Sequence, residues 1–246
     1  MGNEPFAAIA PFYDRLMHSV PYAEWVEYVE LLVRHWRGRR ERVLDLACGT
    51  GTVGLALAAT GSRVVGVDHC REMLAVGTRK ALEQAAPMAF VRQDLCRLAL
   101  APVFDLALCL FDSLNYLLDP AALAAAFTGT RAALARDGLF IFDLNTEFAL
   151  ESEMFTQEEL EPDAPLRLRW QSAYHRATRT TRVNMEFFLD DGRVVTETHR
   201  QRAFTPREVR EALAGAGFRT LAVYEAYTFD LPRRASDRVF YVCRPV

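Results

Sequence analysis

The sequence predicts an α/β fold: a doubly wound, mostly parallel sheet of seven strands, with a small antiparallel β-sheet inserted into it. In the first part of the 246 residues, short apolar runs alternate with helical segments. This alternation is typical of a parallel sheet with right-handed crossovers. Strictly alternating segments joined by an Asp-Gly turn follow, and they indicate an antiparallel hairpin. A capped helix and two more apolar runs complete the chain.

The N-terminal region, residues 4–37, is predicted to form two helices. In the second helix, Trp25, Val29 and Leu32 recur at intervals of three or four residues, which places them on one face. Gly38 follows the last apolar residue of this pattern. Glycine favours the position just after a helix, so the second helix is expected to end there.

Five apolar runs rich in Val, Leu and Phe are predicted to be strands buried on both faces, since parallel strands lie between layers of helices. Helices are predicted between them, over about 52–60, 71–85 and 120–136. The last of these has Asp119 as its N-cap and Pro120 in the first helical position. The predicted strands span 42–46, 63–67, 89–91, 104–110 and 139–144.

The character of the sequence changes near residue 147, where an acidic stretch leads into segments of alternating residues. Four apolar side chains at alternate positions over 183–189 share one face, and an Asp-Asp-Gly turn connects them to 193–203. Residues 147–204 are therefore predicted to form an inserted antiparallel β subdomain that covers a substrate pocket. Residues 1–146 and 205–246 would form one α/β domain.

A helix and two strands are predicted after the insertion. Thr205 and Glu208 form a capping box, with Pro206 in the first helical position. Two apolar runs, 219–226 and 238–244, follow this helix. Added to the five runs before the insertion, they give the seven strands of the predicted sheet.

Composition and charge argue against several classes of protein. The net charge of −3 gives no general attraction to nucleic acid or to an anionic membrane. The five cysteines are scattered without a C-x-x-C pair, which favours a reducing compartment and predicts neither a disulfide framework nor a metal site. The first residues lack a basic segment and a long apolar run, so no secretory signal is expected. The sequence predicts a cytoplasmic protein without a membrane partner.

A glycine-rich turn follows the first predicted strand. Asp45 lies in that strand, and Gly49, Gly51 and Gly54 follow it with G-x-G-x-x-G spacing. Glycines let the backbone turn tightly and let a ligand approach the main chain beside the positive end of the next helix. By itself, the same spacing is compatible with a plain strand-to-helix connection.

Carboxylates occur at the ends of successive predicted strands. Asp45 lies within the first, Asp68 ends the second and Asp94 follows the third. Because the carboxyl ends of parallel strands meet at one edge of the sheet, these side chains are expected to lie close together. A carboxylate at Asp68 can accept both hydroxyl groups of a ribose. The turn and its acids therefore predict a nucleoside site.

Residues 40–145 resemble the class I S-adenosylmethionine-dependent methyltransferase family, which has a Rossmann-like fold. The first motif of that family commonly reads D-x-A-C-G-T-G, and Asp45 to Gly51 fits this form. The resemblance implies S-adenosylmethionine as the cofactor. The residues implied in binding it are Asp45, Ala47 and Gly49 at the methionine end, Asp68 at the ribose, His69 and Met73 beside the adenine, Asp94 and Leu95 at the adenine edge, Leu110 at the amino group, and, without an assigned group, Gly51 and Trp25.

An NAD-dependent oxidoreductase is the competing interpretation, because the glycine spacing and Asp68 suit it as well. Asp45 ahead of the glycines would place a negative charge beside a pyrophosphate. S-adenosylmethionine has no phosphate and carries an ammonium and a sulfonium, which nearby acids favour. Asp94 also has a role only in the methyltransferase interpretation. These features favour methyl transfer.

The segment after the fourth strand is rich in polar groups and is predicted to line the pocket near the transferred methyl group. A hydroxyl or carbon acceptor would need a base, and Tyr13, Asp112 and Tyr116 are the candidate catalytic residues. Phe12-Tyr13-Asp14 resembles the lid of small-molecule methyltransferases, although Tyr13 could instead serve only in packing. The predicted substrate contacts are Asn115, Asn145 and Arg169.

Several of these residue types have a purely structural alternative. Trp25 could be a core residue rather than a cofactor contact, and His175 and His199 on the predicted insert strands are expected to be surface or packing residues. The arginines over 167–182 are interpreted as a solvated face, with an acidic substrate or RNA as alternative ligands.

The sequence therefore predicts an S-adenosylmethionine-dependent methyltransferase that acts on a small molecule by in-line displacement. Nitrogen and oxygen are favoured over carbon as the accepting atom. The alternatives are a non-catalytic S-adenosylmethionine-binding module, an RNA methyltransferase and, with less support, an NAD-dependent oxidoreductase. No nucleic-acid partner is expected, and the sequence is compatible with a homodimer.

Overall fold

The computed structural model describes residues 5–161, 164 and 166–246, which form two β-sheets flanked by helices. The predictions for residues 1–4, at the start of the first helix, and for Asp163 in the acidic stretch lie outside the described residues. In chain order the strands are β1 (Arg42–Leu46), β2 (Arg63–Asp68), β3 (Met88–Arg92), β4 (Phe104–Cys109), β5 (Leu134–Asn145), β6 (Gln157–Glu159), β7 (Arg167–His175), β8 (Thr180–Phe188), β9 (Val194–Arg202), β10 (Phe218–Glu225) and β11 (Arg238–Pro245). The α-helices are α1 (Tyr13–Leu16), α2 (Tyr22–His35), α3 (Thr52–Ala59), α4 (Arg71–Glu83), α5 (Pro120–Ala133), α6 (Glu147–Glu151) and α7 (Pro206–Gly215).

The larger sheet has seven strands in the order β10-β11-β5-β4-β1-β2-β3. Neighbouring strands from β3 to β5 pair in parallel, whereas β11 pairs antiparallel with both β5 and β10. The smaller sheet, β6-β7-β8-β9, is antiparallel throughout. The predicted fold class is confirmed. Because β1 lies between β2 and β4, the chain crosses over in opposite directions there, and ligands of open α/β sheets bind at such a switch point.

Apolar layers cover both faces of the larger sheet. On one face, Leu32 of α2 and Leu57 of α3 pack with Leu108 of β4 in one buried cluster. On the other face, Phe127 of α5 and Leu213 of α7 belong to a second buried cluster. All six residues of β4 are buried, as expected for a strand between two layers. None of the described helices combines the length and apolar composition needed to cross a membrane.

The smaller sheet packs its apolar face against the N-terminal segment. Leu168, Met185 and Phe187 point to this face and form a buried cluster with Ile9. Tyr13 and other partly buried residues of the N-terminal segment pack against the same cluster. The N-terminal segment therefore lies between the inserted sheet and the edge of the larger sheet.

The structure departs from the predicted elements at several points, including helix α6 within the predicted β insertion. In place of a first helix there is a 3₁₀ turn (Ala10–Phe12) and the single turn of α1, because backbone N–H groups of this segment donate to Glu197 rather than along a helix. Helix α5 ends at Ala133, before the predicted residue 136, because Leu134 already pairs with Phe104. Strand β6, three exposed residues in the acidic region, was not predicted.

Candidate functional site

A cavity of about 840 Å³ opens at the carboxyl ends of β1, β2 and β4. Its wall combines the glycine-rich turn, the segment after β4, the N-terminal segment and the inner face of the inserted sheet. Its position is the switch point of the larger sheet, where the topology predicts a ligand. Of the residues predicted to bind a cofactor or to act in catalysis, those that line the cavity are Tyr13, Trp25, Asp45, Ala47, Gly49, Asp68, His69, Met73, Asp94, Leu95, Leu110, Asp112 and Tyr116.

Asp68 ties the glycine-rich turn to the next strand. Its Oδ2 accepts a hydrogen bond from the Gly49 N–H at 2.9 Å, and its Oδ1 accepts one from the Cys70 N–H at 2.8 Å. Gly49 and Gly51 have φ values of 55° and 76°, in the left-handed region that favours glycine. A Cβ on Gly51 would lie 2.7 Å from the ring of Phe90, so this glycine shapes the turn without lining the cavity.

Asp45 presents a buried carboxyl group to the cavity. The residue is 4% exposed, and its Oδ2 has no hydrogen-bond partner among the residues that the structure describes. Burial raises the pKa of Asp45 to about 7, partly offset by the Gly54 N–H and reinforced by the charge of Asp68. A buried carboxylate oxygen without a partner is costly. A cationic group bound in the cavity would relieve this cost.

The turn after β3 forms the end of the cavity that lies beyond Asp68. Asp94 caps that turn, and its Oδ1 accepts a hydrogen bond from the Cys96 N–H at 2.8 Å. Met73 is 3% exposed and lines the cavity together with His69 and Leu95. Apolar walls beside a carboxylate and backbone N–H groups suit a flat, uncharged heterocycle.

Aromatic rings pack behind the turn that follows β4. Trp25 stacks on Phe111, with ring centroids 3.9 Å apart and an interplanar angle of 10°. Phe111 and Asp112 have φ values of 60° and 50°, which are strained for residues other than glycine. The Arg238 guanidinium lies 5.3 Å from the Trp25 ring centroid. Trp25 is thus a core residue that also lines the cavity, and its contact with the cofactor stays a prediction.

Asp112 is held in a buried charge cluster. Its Oδ1 pairs with Arg238 Nη2 at 2.7 Å, and its Oδ2 accepts a hydrogen bond from Gln201 Nε2 at 2.5 Å. Arg238 also pairs with Asp143, whose Oδ2 accepts the Asp112 N–H at 2.9 Å. Burial lowers the pKa of Arg238, but the two carboxylates outweigh it and raise the pKa. The carboxylates of Asp112 and Asp143 therefore share one arginine, which sequence reasoning did not identify.

Tyr116 lies beside a buried histidine that sequence reasoning also missed. The Tyr116 hydroxyl is 2.9 Å from His199 Nδ1, and His199 Nε2 is 2.6 Å from Glu197 Oε2. The ring of Phe6 covers both Tyr116 and His199. Glu197, His199 and Gln201 alternate on one face of β9, and this polar alternation on a strand was the available signal.

Both ends of the N-terminal segment are anchored. The Glu197 carboxylate accepts hydrogen bonds from the N–H groups of Phe6 and Ala8 at 2.9 and 3.0 Å, and from a third N–H at 3.3 Å. At the other end, Asp14 pairs with Lys80 Nζ at 2.8 Å and accepts a hydrogen bond from Thr50 Oγ1 at 2.6 Å. The segment is thereby fastened over the cavity from the inserted sheet to the glycine-rich turn.

The three predicted substrate contacts lie away from the cavity lining. Asn115 is fully buried and donates to the backbone oxygens of Asn145 and Arg202, while the Asn145 N–H donates to Asn115 Oδ1. Arg169 lies in a separate groove on the inserted sheet and pairs with Glu158 and Glu186. These contacts give both asparagines and Arg169 structural partners.

Comparison with known proteins assigns a family to this site. Residues 43–138 match a family described as a methyltransferase domain. The chain is 30% identical over 248 residues to a candidate methyltransferase of Geobacillus sp. (strain WCH70), covering 97% of this chain and 99% of the relative. The chain belongs to the class I S-adenosylmethionine-dependent methyltransferase family. The methyltransferase is also 30% identical to YqeM of Bacillus subtilis (strain 168), over 96% of this chain and 95% of that one.

Solved structures share the fold of the methyltransferase over nearly the whole chain. An S-adenosylmethionine-dependent methyltransferase from Clostridium acetobutylicum ATCC 824 has a TM-score of 0.86 at 24% identity, covering 98% of this chain and 99% of that one. CalS10, an amino pentose methyltransferase from Micromonospora echinaspora, has a TM-score of 0.75 at 21% identity, with full coverage of both chains. The matched regions include the inserted sheet, so these proteins share both sheets with this chain.

The residues around the glycine-rich turn fit S-adenosylmethionine, which supplies an activated methyl group on a sulfonium. The unpartnered oxygen of Asp45 suits the ammonium of its methionine end. Both oxygens of Asp68 accept hydrogen bonds from the backbone, and a carboxylate can accept further bonds, here from the two ribose hydroxyls. The adenine would then lie between His69 and Met73, with Asp94 at its edge.

The affinity of the methyltransferase for S-adenosylmethionine is expected to increase with pH. The pKa of Asp45 is raised to about 7, so the free enzyme carries a protonated carboxyl group below that pH. The ammonium favours the ionised form, and binding must then release a proton. We expect roughly a tenfold weaker affinity one pH unit below the pKa. Titration calorimetry from about pH 6 to pH 8 in buffers of different ionisation enthalpy measures both effects.

Two variants test whether Asp45, rather than His69 in the same cavity, is the group that titrates. Asp45→Asn should bind more weakly and with a flat pH profile, whereas His69→Gln should keep the slope of the unmodified protein. An unchanged slope in Asp45→Asn would assign the titration to another group.

Proposed function

We propose that this methyltransferase transfers the methyl group to a nitrogen or oxygen atom of a small molecule by in-line displacement. The supporting observation is that one cavity joins two chemically different halves. The acids and the glycine-rich turn line one half, and aromatic side chains of the N-terminal segment and inserted sheet line the other. A cavity of about 840 Å³ has the size of small-molecule sites.

The chain contributes binding, orientation and exclusion of water. In-line displacement needs the accepting atom roughly 3 Å from the methyl carbon, along the axis of the bond that breaks. The aromatic half of the cavity begins at Tyr13 and Tyr116, next to the turn after β4. The anchored N-terminal segment covers this region and keeps water from the reacting atoms.

Two structural neighbours support a small-molecule acceptor. CalS10 is named an amino pentose methyltransferase, and KedS8 from Streptoalloteichus sp. ATCC 53650 is named a sugar N-methyltransferase, with a TM-score of 0.77 at 24% identity. The RNA alternative has less support, because arginines of the inserted sheet form ion pairs. Arg169, Arg176 and Arg179 pair with glutamates of the same region.

A screen of amines, phenols and carboxylic acids tests this function. We expect release of S-adenosylhomocysteine with at least one class, together with a product heavier by one methylene. Asp191→Ala, in the exposed turn of the inserted hairpin, is the matched control and should retain full turnover. Binding of S-adenosylmethionine without turnover on any class would identify a non-catalytic module. Methylation of RNA transcripts alone would overturn the small-molecule proposal.

A further inference from the structure

Three buried side chains form a hydrogen-bonded chain that ends at the cavity. This relay cluster consists of Tyr116, His199 and Glu197, with contacts of 2.9 Å from the tyrosine hydroxyl to Nδ1 and 2.6 Å from Nε2 to the carboxylate. His199 is 1% exposed and Glu197 is 7% exposed. Tyr116 and His199 line the cavity, whereas Glu197 lies behind them. In this order His199 can accept a proton through Tyr116, and Glu197 behind it can orient the imidazole.

The partners of Glu197 assign the tautomer of His199. The carboxylate already accepts N–H groups from Phe6, Ala8 and Ile9, so it acts as an acceptor toward the imidazole. In the neutral imidazole Nε2 then carries the proton that is donated to Glu197, and Nδ1 is left as an acceptor. The Tyr116 hydroxyl donates to Nδ1. Burial raises the pKa of Tyr116, which keeps this phenol protonated at rest.

The charges around the relay cluster do not suit a cationic acceptor. The other charged or titratable groups that face it or border this part of the cavity are Tyr13, Asp112, Arg200 and Arg238. Asp112 shares Arg238 with Asp143 and also accepts a hydrogen bond from Gln201. Among the residues described, no carboxylate without a cationic or hydrogen-bonded partner lines the aromatic half of the cavity. An ammonium would find no free counter-ion there.

The lining of the same half suits a flat aromatic molecule. Phe6, Tyr13, Phe155, Trp170 and Met185 form its walls. The indole N–H of Trp170 is buried and has no hydrogen-bond partner within the described part of the chain, so it can donate to an oxygen of the acceptor. Apolar and aromatic walls with a few polar groups are the usual surroundings of such ligands.

We propose that the relay cluster removes a proton from the acceptor, and that the acceptor is a phenol. This inference rests on the proposed small-molecule function. As the phenolic oxygen forms its bond to the methyl carbon, the carbon–sulfur bond breaks. The phenolic proton passes to the Tyr116 oxygen while the proton of Tyr116 passes to His199 Nδ1. Glu197 stabilises the imidazolium, which later returns one proton to water.

The acidity of the acceptor also favours a phenol over an aliphatic alcohol. The phenol of tyrosine has a pKa of about 10 and imidazole one of about 6.5. An imidazole that is paired with a carboxylate can accept a proton across a difference of this size. An aliphatic hydroxyl is far less acidic. A neutral amine can attack before it loses a proton, so it depends less on a base than a phenol does. Tyr116 would touch the acceptor, whereas Glu197 is a positioning residue.

The first test is optical and needs no turnover. Para-nitrophenol is titrated into the protein with S-adenosylhomocysteine present, and the absorbance of the phenolate is measured. We expect the bound probe to ionise at lower pH than the free probe. His199→Gln and Tyr116→Phe should abolish this shift, whereas His175→Gln, in an exposed histidine of β7, should keep it. An unshifted probe in the unmodified protein would overturn the proposal.

The second test is kinetic, with the phenols that the acceptor screen identifies. His199→Gln is expected to lower kcat about 100- to 1000-fold with KM nearly unchanged, and to remove the acidic limb of the pH–rate profile. Glu197→Gln should shift that limb, because the imidazolium loses its partner. Unchanged binding of S-adenosylhomocysteine shows that the variants fold. An unchanged kcat and pH profile in His199→Gln would overturn the proposal.

The outcomes separate this inference from the function it rests on. Turnover of amines at full rate by His199→Gln, with no turnover of phenols by the unmodified protein, would overturn the phenol and keep the small-molecule function. Failure with every small molecule would overturn both.

Discussion

Replacing Arg238 with methionine is expected to destabilise the protein by about 3–5 kcal/mol. The arginine side chain is 17% exposed and lies between Asp112 and Asp143, whose side chains are 13% and 0% exposed. Without it, two carboxylates remain buried side by side with no cation. Equilibrium unfolding in urea, followed by tryptophan fluorescence, measures the loss because Trp25 lies against Arg238.

The loss of folding stability in Arg238→Met should depend on pH. Burial raises the pKa of Asp143, and Arg238 opposes that rise. Removing the arginine raises the pKa further. A carboxyl group whose pKa is higher in the folded state binds more protons there, so the folded state loses stability as the pH rises through the window above the unfolded value of about 3.9. The variant is therefore expected to be closer to the unmodified protein near pH 5 than near pH 8.

Arg233→Met is the matched control for this prediction. Its side chain is 75% exposed and pairs with Glu225 at 3.6 Å, an arrangement that contributes less than about 1 kcal/mol. Equal losses in Arg233→Met and Arg238→Met would show that the buried cluster is not the source of the effect. Adding Asp143→Asn to Arg238→Met should recover part of the lost stability, since one of the two unpaired charges is removed.

Replacing Asp68 with alanine is expected to weaken the binding of S-adenosylmethionine by about 100- to 1000-fold. Hydrogen bonds to a charged group contribute about 1.5–3 kcal/mol each, and Asp68 would make two with the ribose. The same carboxylate orders the turn through the Gly49 and Cys70 N–H groups. Its loss therefore removes contacts and releases the backbone that surrounds the cofactor. Titration calorimetry with S-adenosylhomocysteine measures the change.

Asp190→Ala controls for the loss of one acid elsewhere, since its side chain is 83% exposed at the hairpin turn. This variant should bind the cofactor with unchanged affinity. Asp68→Asn should lie between the two, because an amide can still accept one hydrogen bond from the backbone. A change of less than threefold in Asp68→Ala would contradict the ribose role given to Asp68.

Local patterns in the sequence predicted the sheet and the cofactor half of the cavity. Strand β4 could be placed because a nearly continuous apolar run marks a strand buried on both faces. Asp68 follows such a run directly and Asp94 comes three positions after another, and parallel strands bring their ends to one edge. These features depend on residues that are near in sequence and on one rule of topology.

The rest of the site depends on contacts between distant parts of the chain. Arg238 reaches Asp112 across 126 positions because β11 lies antiparallel beside β5. No periodicity within either segment indicates that pair. The sequence predicts a surface or packing residue at His199, but the sheet turns this face of β9 toward the cavity, where His199 and Gln201 are buried. Alternation in the sequence shows which side chains lie on the same face of a strand, but it does not show what packs against that face.

The Glu197 carboxylate links the position of the N-terminal segment, which covers the cavity, to the protonation of His199. The same two oxygens accept the N–H groups of Phe6, Ala8 and Ile9 and face the imidazole of His199. If the N-terminal segment swings away, three donors leave a carboxylate that remains among apolar groups, which is costly. A positive charge on His199 and the closed N-terminal segment compensate the same anion, so each lowers the cost of losing the other. The enzyme should therefore reopen most readily while His199 still carries the extra proton, and this orders product departure before proton loss.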